Sequence, residues 1–126
     1  MKIRVRLEQF DLLENTSQVL VETSALLREN TLLYFESDGS HKHEIIFNND
    51  VITLKRKGKE FFSETTLPLL SQGETKVHSP YGTMVMPAKL MKRSKTNEEW
   101  LVEYQLFQEK EVITHMRMVW HFTLQA

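Results

Sequence analysis

Alternation with a period of two dominates both ends of the chain. Ile3, Val5 and Leu7 alternate with Lys2, Arg4, Arg6 and Glu8. Successive side chains of a strand point to opposite faces, so this pattern makes one apolar face and one polar face. Val112, Met116, Met118, Trp120, Phe122 and Leu124 repeat it, with Thr114 in phase. No apolar spacing near 3.6 residues competes with this pattern. It predicts a last strand of about 13 residues. Val112, Met116, Met118, Trp120 and Phe122 would face inward, and His115, Arg117, His121 and Thr123 outward.

Between the two ends, turn chemistry cuts the chain into further strands, over 17–28, 31–37, 43–48, 50–57, 59–67, 73–79, 82–92 and 98–108. Ser37-Asp38-Gly39-Ser40 and Asn48-Asn49-Asp50 have hairpin composition, since Gly, Asn and Asp tolerate the left-handed backbone of tight turns. Asp11-Leu12-Leu13-Glu14 offers one helical turn at most, and equally a loop. Pro87 removes a ladder donor and belongs at a bulge or on an edge. About ten strands with hairpin-length connections predict an up-and-down antiparallel sheet, and a sheet of that many twisted strands curls or closes. The expected fold is all-β, a closed or nearly closed barrel of eight to ten strands, with a two-sheet sandwich as the alternative.

Composition narrows the function. With 126 residues, 40% hydrophobic and 26% charged, the chain fits one globular domain spanning 1–126. A net charge of -1 argues against a nucleic-acid partner. The absence of cysteine excludes disulfides and thiol catalysis and fits a reducing cytoplasm. No apolar stretch has the length of a membrane helix, and the alternating N-terminus does not resemble a signal peptide. Charge is nonetheless segregated. Residues 8–50 hold nine acids and two bases, and residues 55–95 hold nine bases and three acids. Cross-strand pairing explains this, as does an anion-attracting face around Lys55, Lys57, Lys59, Lys89, Lys92, Arg93 and Lys95.

Catalytic signatures are missing. There is no Gly-rich phosphate loop, no Gly-x-Ser-x-Gly elbow, and no acid–base pair beyond Glu36. The expectation therefore leans away from an enzyme, and no cofactor is expected. His41 and His43 share a side of one strand, but a metal site needs a third ligand and an exposed surface pair is the default, so no metal is expected. Phe47, Trp100 and Trp120 are expected in the core. Five of the six methionines, Met84, Met86, Met91, Met116 and Met118, suit core filling, or a plastic pocket.

The most informative pattern is a conflict. In Asp50–Gly58 both faces of the strand begin apolar and end basic. Arg56, in phase with Ile52 and Leu54, is the better inward candidate. Glu36 and Tyr34, in phase with Leu32, would join it inside the barrel, because a buried guanidinium needs a carboxylate. Breaking such a buried pair costs on the order of 3–5 kcal/mol. The cluster either fixes strand register or anchors a polar small molecule.

The order of motifs adds a resemblance. Leu33-Tyr34-Phe35-Glu36, then Leu54-Lys55-Arg56-Lys57-Gly58, then Ser79-Pro80-Tyr81-Gly82-Thr83, then Val102-Glu103-Tyr104-Gln105-Leu106 resembles the YwiB-like family, known as domain of unknown function 1934. The matched positions are Tyr34, Glu36, Arg56, Gly58, Tyr81, Gly82, Tyr104 and Leu106. The resemblance implies a calycin-type, lipocalin-like barrel in a small bacterial cytoplasmic protein, and no established activity. Taken with the inward face of the last strand, the candidate ligand-contacting set is Tyr34, Glu36, Arg56, Tyr81, Tyr104 and Trp120. The expected function is binding of a small amphipathic or anionic molecule in the barrel interior. The alternative is an interaction module with a filled core, acting through its surface or as a homodimer.

Overall fold

In a computed structural model, which describes residues 1–124, the alternating segments become ten strands. They are β1 (Lys2–Asp11), β2 (Thr16–Arg28), β3 (Thr31–Phe35), β4 (Lys42–Phe47), β5 (Val51–Lys57), β6 (Phe62–Pro68), β7 (Gly73–Ser79), β8 (Gly82–Lys95), β9 (Glu99–Gln108) and β10 (Glu111–Leu124). Each pairs antiparallel with its sequence neighbours, and β1 pairs with β10 to close the barrel. Residues 12–15 form a turn, with the Asp11 carboxylate accepting from the Leu13 and Glu14 amides at 3.0 Å each. Pro87 stands opposite Glu74 of β7, at the margin where pairing with β9 has not yet begun.

Period-two patterning sets the lumen. Ile3, Val5, Leu7, Leu32, Phe47, Ile52, Leu67, Trp100, Val102 and Trp120 are all buried and form one cluster. One threonine pair is buried with them, the Thr65 and Thr75 hydroxyls meeting at 2.8 Å across β6 and β7. Gly73 is required where β7 begins, because a Cβ there would lie 1.8 Å from the Thr66 carbonyl oxygen.

Three bulges break the alternation, and two of them explain departures from the pattern. Ile113 is an extra residue between Val112, opposite Phe107, and Thr114, opposite Leu106. An extra residue inverts the faces on one side of it. Met118, Trp120 and Phe122 point inward as alternation requires, but Val112 does not join them and is 37% exposed. Met91 is the extra residue on β8, so Arg93 and Lys95 stand opposite the core residues Val102 and Trp100. These two cations leave the expected basic face and cover the aromatic floor. The Arg93 guanidinium lies 4.7 Å from the Phe47 ring centre and the Lys95 ammonium 5.4 Å from that of Trp100. Lys95 also donates to the Asn30 side chain, and Arg93 to the Asn49 carbonyl at 2.9 Å. The third extra residue, Leu20, lies on β2 opposite the Leu7/Glu8 step of β1.

The β9–β10 hairpin closes on Gln108 opposite Glu111, leaving a two-residue loop with both residues at positive φ, 51° for Glu109 and 70° for Lys110. Tight hairpins favour this geometry, but it burdens residues with a Cβ. Replacing Lys110 by Gly is expected to stabilise the protein by about 1 kcal/mol. A thermal midpoint a few degrees above the parent is the measurement that checks it.

Candidate functional site

The Ser37–Ser40 loop builds the site. The Glu36 amide donates to the His41 carbonyl at 2.8 Å and the Gly39 amide to the Glu36 carbonyl at 2.7 Å, with Gly39 at φ 75°. This clasp holds Glu36 one step beyond β3, in phase with Tyr34 and Leu32. Across the next strands Tyr34 stands opposite His43, and His43 opposite Arg56. All lie on the lumen side at one barrel end.

Glu36 is the hub. Its Oε1 accepts from Arg56 Nε at 2.9 Å and Nη2 at 2.8 Å, and meets His43 Nε2 at 3.0 Å. Its Oε2 lies 3.4 Å from His41 Nδ1. Gly58 makes room for His41, since a Cβ there would fall 2.6 Å from the imidazole. The Arg56 guanidinium also lies 5.5 Å from the Phe61 ring centre. Tyr34 and His43 stack with centroids 4.8 Å apart and planes 7° from parallel. Behind them Trp120 Nε1 donates to the Tyr34 hydroxyl at 3.0 Å.

The predicted cluster is therefore assembled, with two corrections. Arg56 lies at the rim, its side chain 41% exposed against 22% for Glu36, because Gly58 ends the strand beside it. Tyr34 hydrogen-bonds Trp120, not Arg56, and joins the cluster by stacking on His43. His41 and His43, expected as an exposed pair, are both part of it. Tyr81 stands apart, 99% exposed at the tip of the β7–β8 hairpin, and lines no interior. Tyr104 faces the lumen opposite Leu90 and Met116, and burial pushes its phenol up to about 12. Among the described residues, no group of three His, Asp or Glu side chains is arranged to hold a metal ion.

A second Glu–His–Arg cluster was not foreseen. On the outer face Glu103 accepts from Arg117 at 3.0 Å and 2.9 Å, and its other oxygen meets His115 Nε2 at 2.9 Å. An unbulged hairpin would set Glu103 opposite Met116, and the extra residue Ile113 brings Arg117 there instead.

The electrostatics follow from these contacts. Burial pushes the Glu36 carboxyl up, but hydrogen bonds from His43 and Arg56 and the guanidinium charge outweigh it, holding it below the usual carboxylate range. Glu103 is held low in the same way by His115 and Arg117. His43 is pushed down by burial, which the Glu36 charge only partly offsets. Burial raises the Tyr34 phenol.

Two surface grooves accompany these clusters. One, of about 840 Å³, lies where β2 parts from β3 and is lined by Lys2, Leu26, Leu33, Tyr34, Phe35 and Lys42 among others. The other, of about 740 Å³, lies between the β6–β7 loop and the outer side of β8 and β9, with Leu69, Leu70, Pro87 and Phe107 in its wall. Neither is lined by Glu36, Arg56, Tyr104 or Trp120.

Set beside solved structures, the barrel is similar to the ywiB protein from Bacillus subtilis, with a TM-score of 0.62 over 99% of this chain and 91% of that one. The sequences are 10% identical, so the likeness is one of fold. The fold is YwiB-like. No protein-family model matches the chain, and no curated protein matches it. Among the described residues no helix is long and apolar enough to cross a membrane.

Two predictions follow from the cluster. Glu36→Gln is expected to destabilise by about 1–3 kcal/mol, the range for charge-assisted hydrogen bonds and below that of a fully buried pair because Arg56 reaches solvent. Lys55→Gln, which breaks an exposed 3.6 Å contact with Glu44, should change stability by less than about 1 kcal/mol. Equal urea midpoints for the two variants would sink this assignment.

The second concerns pH. His43 and Glu36 both have folded-state pKa values below their unfolded ones, so the unfolded chain binds more protons and stability falls as pH falls. The His43 loss begins as pH falls below the ordinary imidazole value of 6.5, and the Glu36 loss below the ordinary carboxyl value of 4.5. His43→Gln should flatten the first part of the decline and leave the second, read as urea midpoints at neutral and mildly acidic pH.

Proposed function

We propose that this chain is a non-enzymatic binding barrel whose ligand is a small amphipathic anion, held in the β2–β3 groove and not in the lumen. One observation carries the reading. An apolar floor of Leu26, Leu33 and Phe35 lies in one concavity with Lys2 and Lys42 and with no carboxylate residue lining it. Its volume of about 840 Å³ falls within the range of small-molecule sites. Tyr34, 3% exposed, is among the residues lining the groove and joins it to the Trp120, His43 and Glu36 chain behind. In this reading Glu36, Arg56 and Trp120 are supports that fix Tyr34, and Tyr104 and Tyr81 have no part in the site. The lower lumen is occupied by Phe47, Trp100 and Trp120, which speaks against a deep interior ligand.

Catalysis has no place in the proposal. Glu36 and Glu103 are saturated with donors and held ionised, the opposite of what a general acid at neutral pH needs. We further propose that the protein is a bacterial, cytoplasmic, calycin-type member of the YwiB-like family, one lipocalin-like domain over 1–126. Support comes from the ordered motifs, the closed barrel and the absence of cysteine. The second reading, an interaction module, is favoured by the same filled lower lumen.

Calorimetric titration with decanoate tests the site. The parent protein is expected to bind it, and decyltrimethylammonium more weakly. Leu33→Glu should weaken decanoate binding by about tenfold or more, equivalent to about 1.4 kcal/mol. Leu70→Glu, in the other groove, should leave it unchanged. No decanoate binding, or equal binding by parent and Leu33→Glu, would overturn the proposal.

A further inference from the structure

The barrel closes unevenly. β2 runs from Thr16 to Arg28, but β3 pairs with it only over Ala25–Arg28. From Thr16 to Thr23, β2 pairs with β1 on one side and with no described strand on the other. Such an edge presents a row of backbone donors and acceptors to any extended chain.

Natural edges are guarded by lysine, by proline or by a covering segment. Thr16–Thr23 contains neither lysine nor proline, and Glu22 is its only charge. The bulge at Leu20 and the charge of Glu22 guard its upper part, and Thr16–Val19 stays paired with β1 in unbroken register. Beside this stretch the side chains of Val19 and Leu20 are 52% and 42% exposed, and Leu13 in the adjoining turn is also exposed.

We propose that this edge is an interface with a second copy of the same chain, formed by antiparallel pairing of the two β2 strands across a two-fold axis. The commitment to a second copy rests on self-complementarity. Antiparallel pairing of Thr16–Val19 with itself sets Thr16 against Val19 and Ser17 against Gln18, with no charge on either strand. Glu22, which stands opposite Arg6 on β1, lies outside the paired stretch. In a chain with 26% charged residues, this uncharged run is where two identical copies meet without repulsion. The pairing satisfies the free backbone groups and covers apolar surface of Val19 and Leu20 that one copy leaves about half exposed.

The test compares the parent with Val19→Lys/Leu20→Lys by analytical ultracentrifugation over a dilution series. The parent is expected to dimerise. The double variant places lysines from the two copies near one another and should raise the dimer dissociation constant by about tenfold or more. Its circular dichroism spectrum should match the parent's. Leu70→Lys, in the other groove, should dimerise as the parent does. Amide exchange read by NMR should show Thr16–Val19 protected in the parent and open in the double variant. A parent that stays monomeric throughout would overturn the proposal. So would a double variant that dimerises undiminished, or a dimer broken by Leu70→Lys. Should the double variant fail to fold, Val19→Thr, which keeps β-propensity and removes exposed apolar surface, replaces it under the same criteria.

Discussion

The hydrogen bond from Trp120 to Tyr34 ties the barrel together where its own ladder is thinnest. The β2–β3 seam has four residue pairs, whereas β1 and β2 pair along ten positions. Trp120 stands on β10 and Tyr34 on β3, so their contact reaches past β1 and β2 and bridges the seam from inside. The indole N–H and the phenol are both buried, and neither has water to fall back on. Losing one partner would leave the other unsatisfied in an apolar surround, which costs about 1–3 kcal/mol. The same tyrosine stacks on His43, which leans on Glu36. The deepest core is thus linked to the charged rim through a single ring.

The two Glu–His–Arg clusters solve one problem in two places. Each puts a carboxylate on a partly covered sheet surface and surrounds it with an imidazole and a guanidinium. A carboxylate so satisfied fixes which residues stand opposite one another across strands. One cluster ties β3, β4 and β5 at the end of the lumen, and the other ties β9 to β10 outside it. Shared donor sets of this kind specify register more than they add net stability, because desolvation of the charges offsets much of the attraction.

Much of this was legible in the chain. Alternation located the strands, and turn residues such as Asp38-Gly39 and Asn48-Asn49-Asp50 located the breaks, because both depend on local chemistry. The pairing of Glu36 with Arg56 was legible from face arithmetic, since a carboxylate and a guanidinium on one face, here with only β4 between their strands, have to meet or reach solvent. What could not be read was where a single residue is inserted. Nothing in Ile113, Met91 or Leu20 announces a bulge, yet each resets the register beyond it. Ile113 puts Val112 outside and brings Arg117 to Glu103, and Met91 sends Arg93 and Lys95 over the aromatic floor. Depth was equally hidden. Phase says which way Arg56 points, but only the barrel's tilt and the end of β5 decide that it stops at the rim.

The closure of β1 against β10 pairs Ile3 with Leu124. During synthesis the first strand emerges long before its partner, and one of its backbone edges stays unpaired until the last strand leaves the ribosome. Long-range pairing of this kind makes folding slow, since the loop to be closed is nearly the whole chain. The same adjacency means that a short peptide could join the two ends, with new termini opened at the exposed Tyr81 tip. In such a permuted chain β1 and β10 would form a local hairpin, and the slowest step of the natural order would become one of the fastest.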